Sequence, residues 1–205
     1  MIRNKLIPQI TAVVLADGKN KRIATEKSLL QISNVILIDK IISLLETIFP
    51  EIMIITGKDS LKNRFPEYRI VDDYYKNCGP LAGIHTALKT ASSDAVFIFA
   101  CDMPNLNSGL IRNMSDYYIS HKDTPKLLVP RHKEGYEPLH AIYHKTLLPL
   151  IEHQLSQQNN KISSFFSLIE TEFYNIQDNC IPIFYNINTK EDLINLNRLQ
   201  RSNCI

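Results

Sequence analysis

The chain has 205 residues, 44% of them hydrophobic, and its 23 Lys and Arg against 21 Asp and Glu leave a formal net charge of +2. That length fits one α/β domain with an ample core, spanning residues 1–205, and near-neutral charge with scattered cations excludes a nucleic-acid-binding face. Cys78, Cys101, Cys180 and Cys204 form no C-x-x-C pair, which argues against a zinc site and a disulfide framework and fits a reducing cytoplasm. The opening MIRNKLIPQI lacks the apolar core of a signal peptide. No window reaches the roughly 18 apolar residues of a membrane span, so a soluble protein without a membrane partner is expected.

Residues 1–9 read as an extension whose Pro8 precedes the first strand. Ile10, Thr11, Ala12, Val13, Val14 and Leu15 form a short β-branched apolar run, the composition of a buried parallel strand. Ala16, Asp17 and Gly18 end it, and a loop with Lys19, Lys21, Arg22 and Lys27 follows. Cations behind a strand end, beside a glycine that permits close backbone approach, suggest an anion site for a polyphosphate; a solvated basic turn would read the same way. The loop is neither G-x-x-x-x-G-K-[ST] nor G-x-G-x-x-G.

Next, Val35 to Ile38, Ile41, Ile42, Leu44, Leu45 and Ile48 recur at helical intervals until Pro50. Ile52 to Ile55 and Arg69 to Val71 read as further strands, ended by Thr56-Gly57 and by Asp72-Asp73. Gly79-Pro80-Leu81-Ala82-Gly83 reads as a tight turn at a helix start, where glycines let a ligand come close. Ala95 to Ala100 is apolar throughout and therefore central, ending at Cys101-Asp102-Met103-Pro104. A helix is predicted over Asn107 to Ser120 and a strand over Leu127 to Val129. Glu137 to Tyr143 reads as an antiparallel or edge segment, because Pro138 suits an edge. Residues 144–170 read as helical around a polar break, Phe173 to Ile176 as a last strand, and Thr189 as the N-cap of a terminal helix. The alternation predicts a three-layer, Rossmann-like α/β domain: a mostly parallel central sheet, helices on both faces, ligands at the carboxyl ends of the strands.

Three strand ends carry polar residues: Asp17 to Lys27, Asp72-Asp73, and Asp102. A hard cation such as Mg²⁺ uses one or two carboxylates plus substrate phosphate oxygens, and Asp102 opposite a basic loop offers that. The other reading of Asp102 is a helix cap. His140, a lone histidine in a strand, reads as structural.

Together, LADGKNKRIATEK (15–27), DDYYKNCGPLAGI (72–84), CDMP (101–104), EPLHAIY (137–143) and FYNINTKEDL (184–193) resemble the molybdenum cofactor guanylyltransferases, the MobA family, within the nucleotidyltransferase fold. The resemblance implies transfer of GMP from GTP to the terminal phosphate of molybdopterin, with release of pyrophosphate. It puts Leu15, Ala16, Gly18 and Lys27 on the nucleotide, Arg22 near its phosphates, and Thr56 and Asp72 near the guanosine. It also implies nucleotide binding at Gly79, Mg²⁺ on Asp102, and a pterin-side or site-closing role for Asn186 and Asn188. Lys27, Arg22 and Asp102 are the implied catalytic set. Implied partners are GTP, the molybdopterin cofactor, other cofactor-biosynthesis proteins and recipient molybdoenzymes.

The family's LAGG is LADG here, with Asp17 in place of a glycine, and Asn20, Ile23 and Ala24 replace the usual serine, methionine and glycine. Asp17 is expected to turn outward, toward Lys19, Lys21 and Arg22. Two other readings stand beside guanylyl transfer: a cytidylyltransferase or other nucleotidyltransferase acting on a small phosphorylated acceptor, and a nucleotide- or cofactor-binding protein with weakened turnover.

Overall fold

The computed structural model describes residues 6–17, 31–32, 35–121, 126–176, 183–189, 191–192 and 194–196. Its organising strand is β1 (Ile10–Leu15), buried from Ile10 through Val14. β1 pairs in parallel with β4 (Ile52–Ile55) on one side and with β6 (Ala95–Ala100) on the other. Beyond β4 lies β5 (Arg69–Val71), also parallel. These runs are short, β-branched and apolar, so they suit a sheet covered on both faces. Pleating sends Ala12 and Val14 to one core and Val13 to the other.

The far half of the sheet is mixed. β9 (Ile142–His144) lies antiparallel between β6 and β7 (Leu127–His132), and β10 (Glu172–Asn175) closes that edge in parallel with β7. The full order is β10-β7-β9-β6-β1-β4-β5, and β8 (Gly135–Tyr136) turns back on the end of β7. The expectation of an edge position near Pro138 is therefore corrected. Glu137 to His140 is a turn, with the His140 N–H donating to the Glu137 carbonyl at 3.1 Å. The proline precedes the strand and removes no ladder donor, which leaves Ile142 to His144 able to pair on both sides.

Two helical layers complete the architecture. α1 (Leu37–Glu46), α2 (Asp59–Arg64) and α4 (Ser108–Ser120) cover one face through Leu37, Leu61 and Ile111. α3 (Pro80–Thr90), α5 (Leu148–Ser156) and α6 (Ile162–Phe166) cover the other through Leu81, Ile151 and Phe165. A second correction concerns the start of α1: Val35–Ile36 is the strand β3, paired with β2 (Gln31–Ile32), and the helix begins at Leu37. Ile36 has extended backbone, as its β-branched side chain prefers.

Caps fix two helix starts where the sequence places them. The Asn107 side chain accepts from the Leu110 N–H at 2.9 Å. At the carboxyl-terminal helix the Thr189 hydroxyl accepts from Asp192 N at 3.1 Å while Asp192 Oδ2 accepts from Thr189 N at 2.7 Å, a reciprocal capping pair. No helix among the described residues is long and apolar enough to cross a membrane.

Candidate active site

The carboxyl ends of β1, β4, β5 and β6 all open on one side of the sheet, because those four strands are parallel. A cavity of about 610 Å³ lies there, within the range of small-molecule sites. Leu15, Asp17, Gly57, Lys58, Asp73, Gly79, Gly83 and Asp102 all line it, with Leu139 from the turn before β9.

The end of β1 is held from both sides. The Ala16 N–H donates to the Ile55 carbonyl at 3.0 Å, and the Leu15 carbonyl accepts from Cys101 N at 3.2 Å. Ala16 is fully buried, so of this pair only Leu15 presents its side chain to the cavity.

Asp17 differs from the outward pose expected of it. Its Oδ1 accepts from the Thr56 hydroxyl at 2.7 Å, and the Gly57 N–H lies 3.0 Å from both carboxylate oxygens. In return, Lys58 Nζ donates to the Ala16 carbonyl at 3.0 Å. Two strand ends about 40 residues apart in sequence are thus cross-braced, one by a carboxylate and one by an ammonium. The physical reason is that the Thr56 hydroxyl and the Gly57 N–H, fixed by the β1–β4 ladder, stand ready as donors beside the carboxylate. Thr56 is fully buried behind this brace. Gly18, Arg22 and Lys27, with Lys19 and Lys21, lie outside the described residues.

The pair after β5 divides its roles. Asp72 is exposed and pairs with Lys76 at 3.4 Å and Lys62 at 3.8 Å, while Asp73 turns into the cavity. Burial, then the charge of Asp17, pushes the Asp73 carboxyl up to about 6; Lys76 and a hydrogen bond from Thr86 pull it down. The following loop reaches α3 through Gly79, whose φ of 72° suits a glycine. Gly83 serves close approach: a Cβ there would stand 2.9 Å from Leu15 Cδ2.

Asp102 lies two residues past the end of β6, after Cys101, and is half-buried at the cavity wall. Its carbonyl accepts from Ile187 N at 2.9 Å, so the carboxyl-terminal segment is fastened to the strand end that carries it. In that segment the Asn186 side chain donates to the Phe184 carbonyl at 3.2 Å, and the Asn188 N–H donates to Asp192 Oδ2 at 2.8 Å. Neither asparagine lines the cavity. Phe184 stacks on the His132 ring and meets His140 edge-on. His140 sits fully buried among Phe97, Phe99 and Phe184, as a structural residue would.

Asp102 fits a hard divalent cation. Among the described residues no group of three or more His, Cys, Asp or Glu could hold a metal, so a cation there needs oxygens from its ligand. Mg²⁺ is ordinarily held in that way, by one or two carboxylates and substrate phosphates. Sequence reasoning named Asp72 as a site residue and neither Lys58 nor Asp73, and it is the latter two that line the cavity. The signal for Lys58 was its place just past the apolar run Ile52 to Ile55, followed by Thr56-Gly57.

Comparison with known proteins identifies the family of the chain. A model of the MobA-like NTP transferase domain matches residues 12–171. The chain is 33% identical to the molybdenum cofactor guanylyltransferase of Syntrophotalea carbinolica, over 89% of this chain and 88% of that protein. It is 31% identical to a probable molybdenum cofactor guanylyltransferase of Pelotomaculum thermopropionicum, over 91% of each. In structure it superposes on molybdopterin-guanine dinucleotide biosynthesis protein A of Archaeoglobus fulgidus with a TM-score of 0.79 and 22% identity, covering 94% of this chain and 99% of that one. With a domain match across most of its length, and with relatives above 30% identity along nearly all of it, the chain belongs to the MobA-like NTP transferase family.

Proposed function

We propose that the protein is a molybdenum cofactor guanylyltransferase, which transfers GMP from GTP to the terminal phosphate of molybdopterin. The observation that carries this reading is the cavity at the parallel strand ends, walled by Asp102 and Lys58 in a chain of this family. In the reaction an oxygen of the acceptor phosphate attacks the α-phosphorus of GTP in line. The bond from that phosphorus to the β-phosphate bridging oxygen breaks, and pyrophosphate leaves. The acceptor is already an anion, so no strong general base is required; catalysis rests on alignment and charge neutralisation.

This chain's residues divide that work. Leu15 and Gly83 set a close-packed floor, with the Gly79 turn beside it, against which the nucleotide lies. Lys58 keeps an ammonium at the wall, and Arg22 and Lys27 of the basic loop are the further cations proposed for the triphosphate. Asp102 is the residue proposed to hold Mg²⁺, which when bound supplies charge neutralisation and alignment of phosphate oxygens. Thr56 and Asp72 support the wall from behind and beside it. Ala16, Asn186 and Asn188 act through the backbone they fix, the asparagines on the segment that fastens Asp102.

The test is incubation with molybdopterin, Mg²⁺ and each of the four common nucleoside triphosphates, followed by mass analysis. The expected product is the guanine dinucleotide with stoichiometric pyrophosphate. A cytosine dinucleotide would assign cytidylyl transfer, and nucleotide binding without pyrophosphate would assign a binding protein.

A further inference from the structure

Asp73, Lys76, Asn77 and Gly79, from the segment between β5 and α3, all line the cavity, so the conformation of that segment sets the shape of one wall. The conformation is not a relaxed one. Asn77 has a φ of 61° and Gly79 one of 72°, and a non-glycine residue keeps such a φ only where its surroundings impose it. The hold comes from α3. Tyr74 and Tyr75 meet the His85 ring edge-on, with centroids 5.9 and 5.0 Å away. Thr86, the next residue of the helix, accepts from the Tyr74 N–H at 3.1 Å through its hydroxyl oxygen.

His85 is fixed in turn from its far side. Its side chain is 1% exposed, yet Nε2 lies 3.0 Å from Glu152 Oε1 on α5, whose side chain is 40% exposed. Lys89, one turn along α3, reaches the same oxygen at 3.4 Å and stands over the Tyr74 ring. Hydrogen bonds from His85 and then from Lys89 hold the Glu152 carboxyl below its usual range. An ionised carboxylate only accepts, so Nε2 carries the proton it shares with Glu152. His85 Nδ1 is shut off from solvent without a hydrogen-bond partner, which leaves Glu152 as the polar contact that sets the angle of the ring. We propose that His85 is a positioning residue: oriented by Glu152, its ring holds Tyr74 and Tyr75 and keeps the 73–79 wall in the shape that receives the nucleotide. The histidine touches no reacting atom. The inference rests on the reading of this cavity as the nucleotide site, and it brings in α5, no residue of which lines the cavity. Misplacing a wall that aligns a substrate costs binding and rate without any loss of chemistry at the reacting atoms.

The experiment starts from Glu152→Ala, which removes the acceptor at an exposed position and leaves the core closed. The GTP KM should rise about fivefold or more with kcat within about twofold, and amide exchange at residues 74–79 should quicken about tenfold or more while that of Ala95–Ala100 stays unchanged. Glu152→Gln keeps a carbonyl oxygen for the Nε2–H and should bring both readings back to within about twofold of wild type. His85→Phe keeps a ring for the tyrosines but no N–H; it should raise KM as Glu152→Ala does, and the double variant should go no further than either. A pair that merely fastens α3 to α5 would lower the melting temperature and leave the KM alone, and that outcome overturns the inference. Additive KM effects in the double variant, or an impairment in Glu152→Gln equal to that in Glu152→Ala, overturn it as well. A wild type that uses CTP in place of GTP would remove the guanylyl reading alone, and the same comparisons made with CTP then decide the inference, because the wall faces either nucleotide.

Discussion

Asp102 and Asp17 stand past the ends of neighbouring parallel strands and both line the cavity, but Asp17 also accepts from Thr56 and Gly57. For Asp102→Asn, an amide of the same shape removes the charge a hard cation requires. Turnover should vanish with no change in melting temperature, and wild-type activity at low Mg²⁺ would remove Asp102 from the metal. Asp17→Gly strips the acceptor from a fully buried Thr56 hydroxyl and from Gly57 N. It should lower stability by about 1–2 kcal/mol in urea unfolding while changing the GTP KM by less than about tenfold, because the carboxylate already serves protein donors. Stability equal to wild type would show that the brace contributes nothing. Asp102 was legible in the sequence because six apolar residues lead straight to it. The choice between Asp72 and Asp73 was not, since the phase of a three-residue strand decides which neighbour faces inward. The partner of Asp17 was equally hidden, being set by a strand 40 residues away.

At the scale of elements, α3 and β1 meet closely enough that a single methyl decides the fit. Leu81 through Leu88 are all buried, so this helix has little room to retreat. Gly83→Ala puts a Cβ 2.9 Å from Leu15 Cδ2, so the leucine, which lines the cavity, has to shift. The variant should lose about 1–3 kcal/mol of stability and show a raised GTP KM with a smaller effect on kcat; a normal KM would mean that Leu15 moves away from the nucleotide. Most helices and the parallel strands could be read from periodicity, and one helix start from the Thr189 cap. The interior place of β9 could not, because Pro138 lies in the same short segment and only the tertiary pairing shows that it precedes the strand. The short α2 went unread because six residues rich in polar side chains carry almost no periodic signal.

Across the whole molecule, two buried groups tilt the pH dependence of stability in opposite directions. Asp73 titrates near 6 when folded against 3.8 for the free carboxyl, so its native state holds the proton longer and stability falls as pH rises between these values. His140 is pushed by burial from 6.5 to about 3; the unfolded chain takes its proton first, so stability falls as pH drops below about 6.5. The fully buried histidine should dominate, and the wild type should weaken on acidification from about pH 6.5 to 4. His140→Leu should flatten that loss, whereas Asp73→Asn should add about 1 kcal/mol at pH 7.5 and nothing near pH 4, as read from urea midpoints. An unchanged acid slope in His140→Leu would mean that the imidazole is charged in the native state.

The antiparallel insertion of β9 beside β6 also sets a schedule for synthesis. The chain delivers β1, β4, β5 and β6 first, enough for a half-sheet, but the strand that covers the outer edge of β6 arrives only at Ile142–His144. At about 5–20 residues per second the ribosome leaves that edge bare for several seconds. Until then the backbone groups of Ala95 to Ile98 that later meet Ala141 to His144 are open to any other strand. A fragment of residues 1–121 should therefore self-associate in light scattering where the full chain does not, and a monodisperse fragment would show that the half-sheet protects itself. On that result the carboxyl-terminal half would serve as a built-in chaperone for the half that supplies most of the cavity wall.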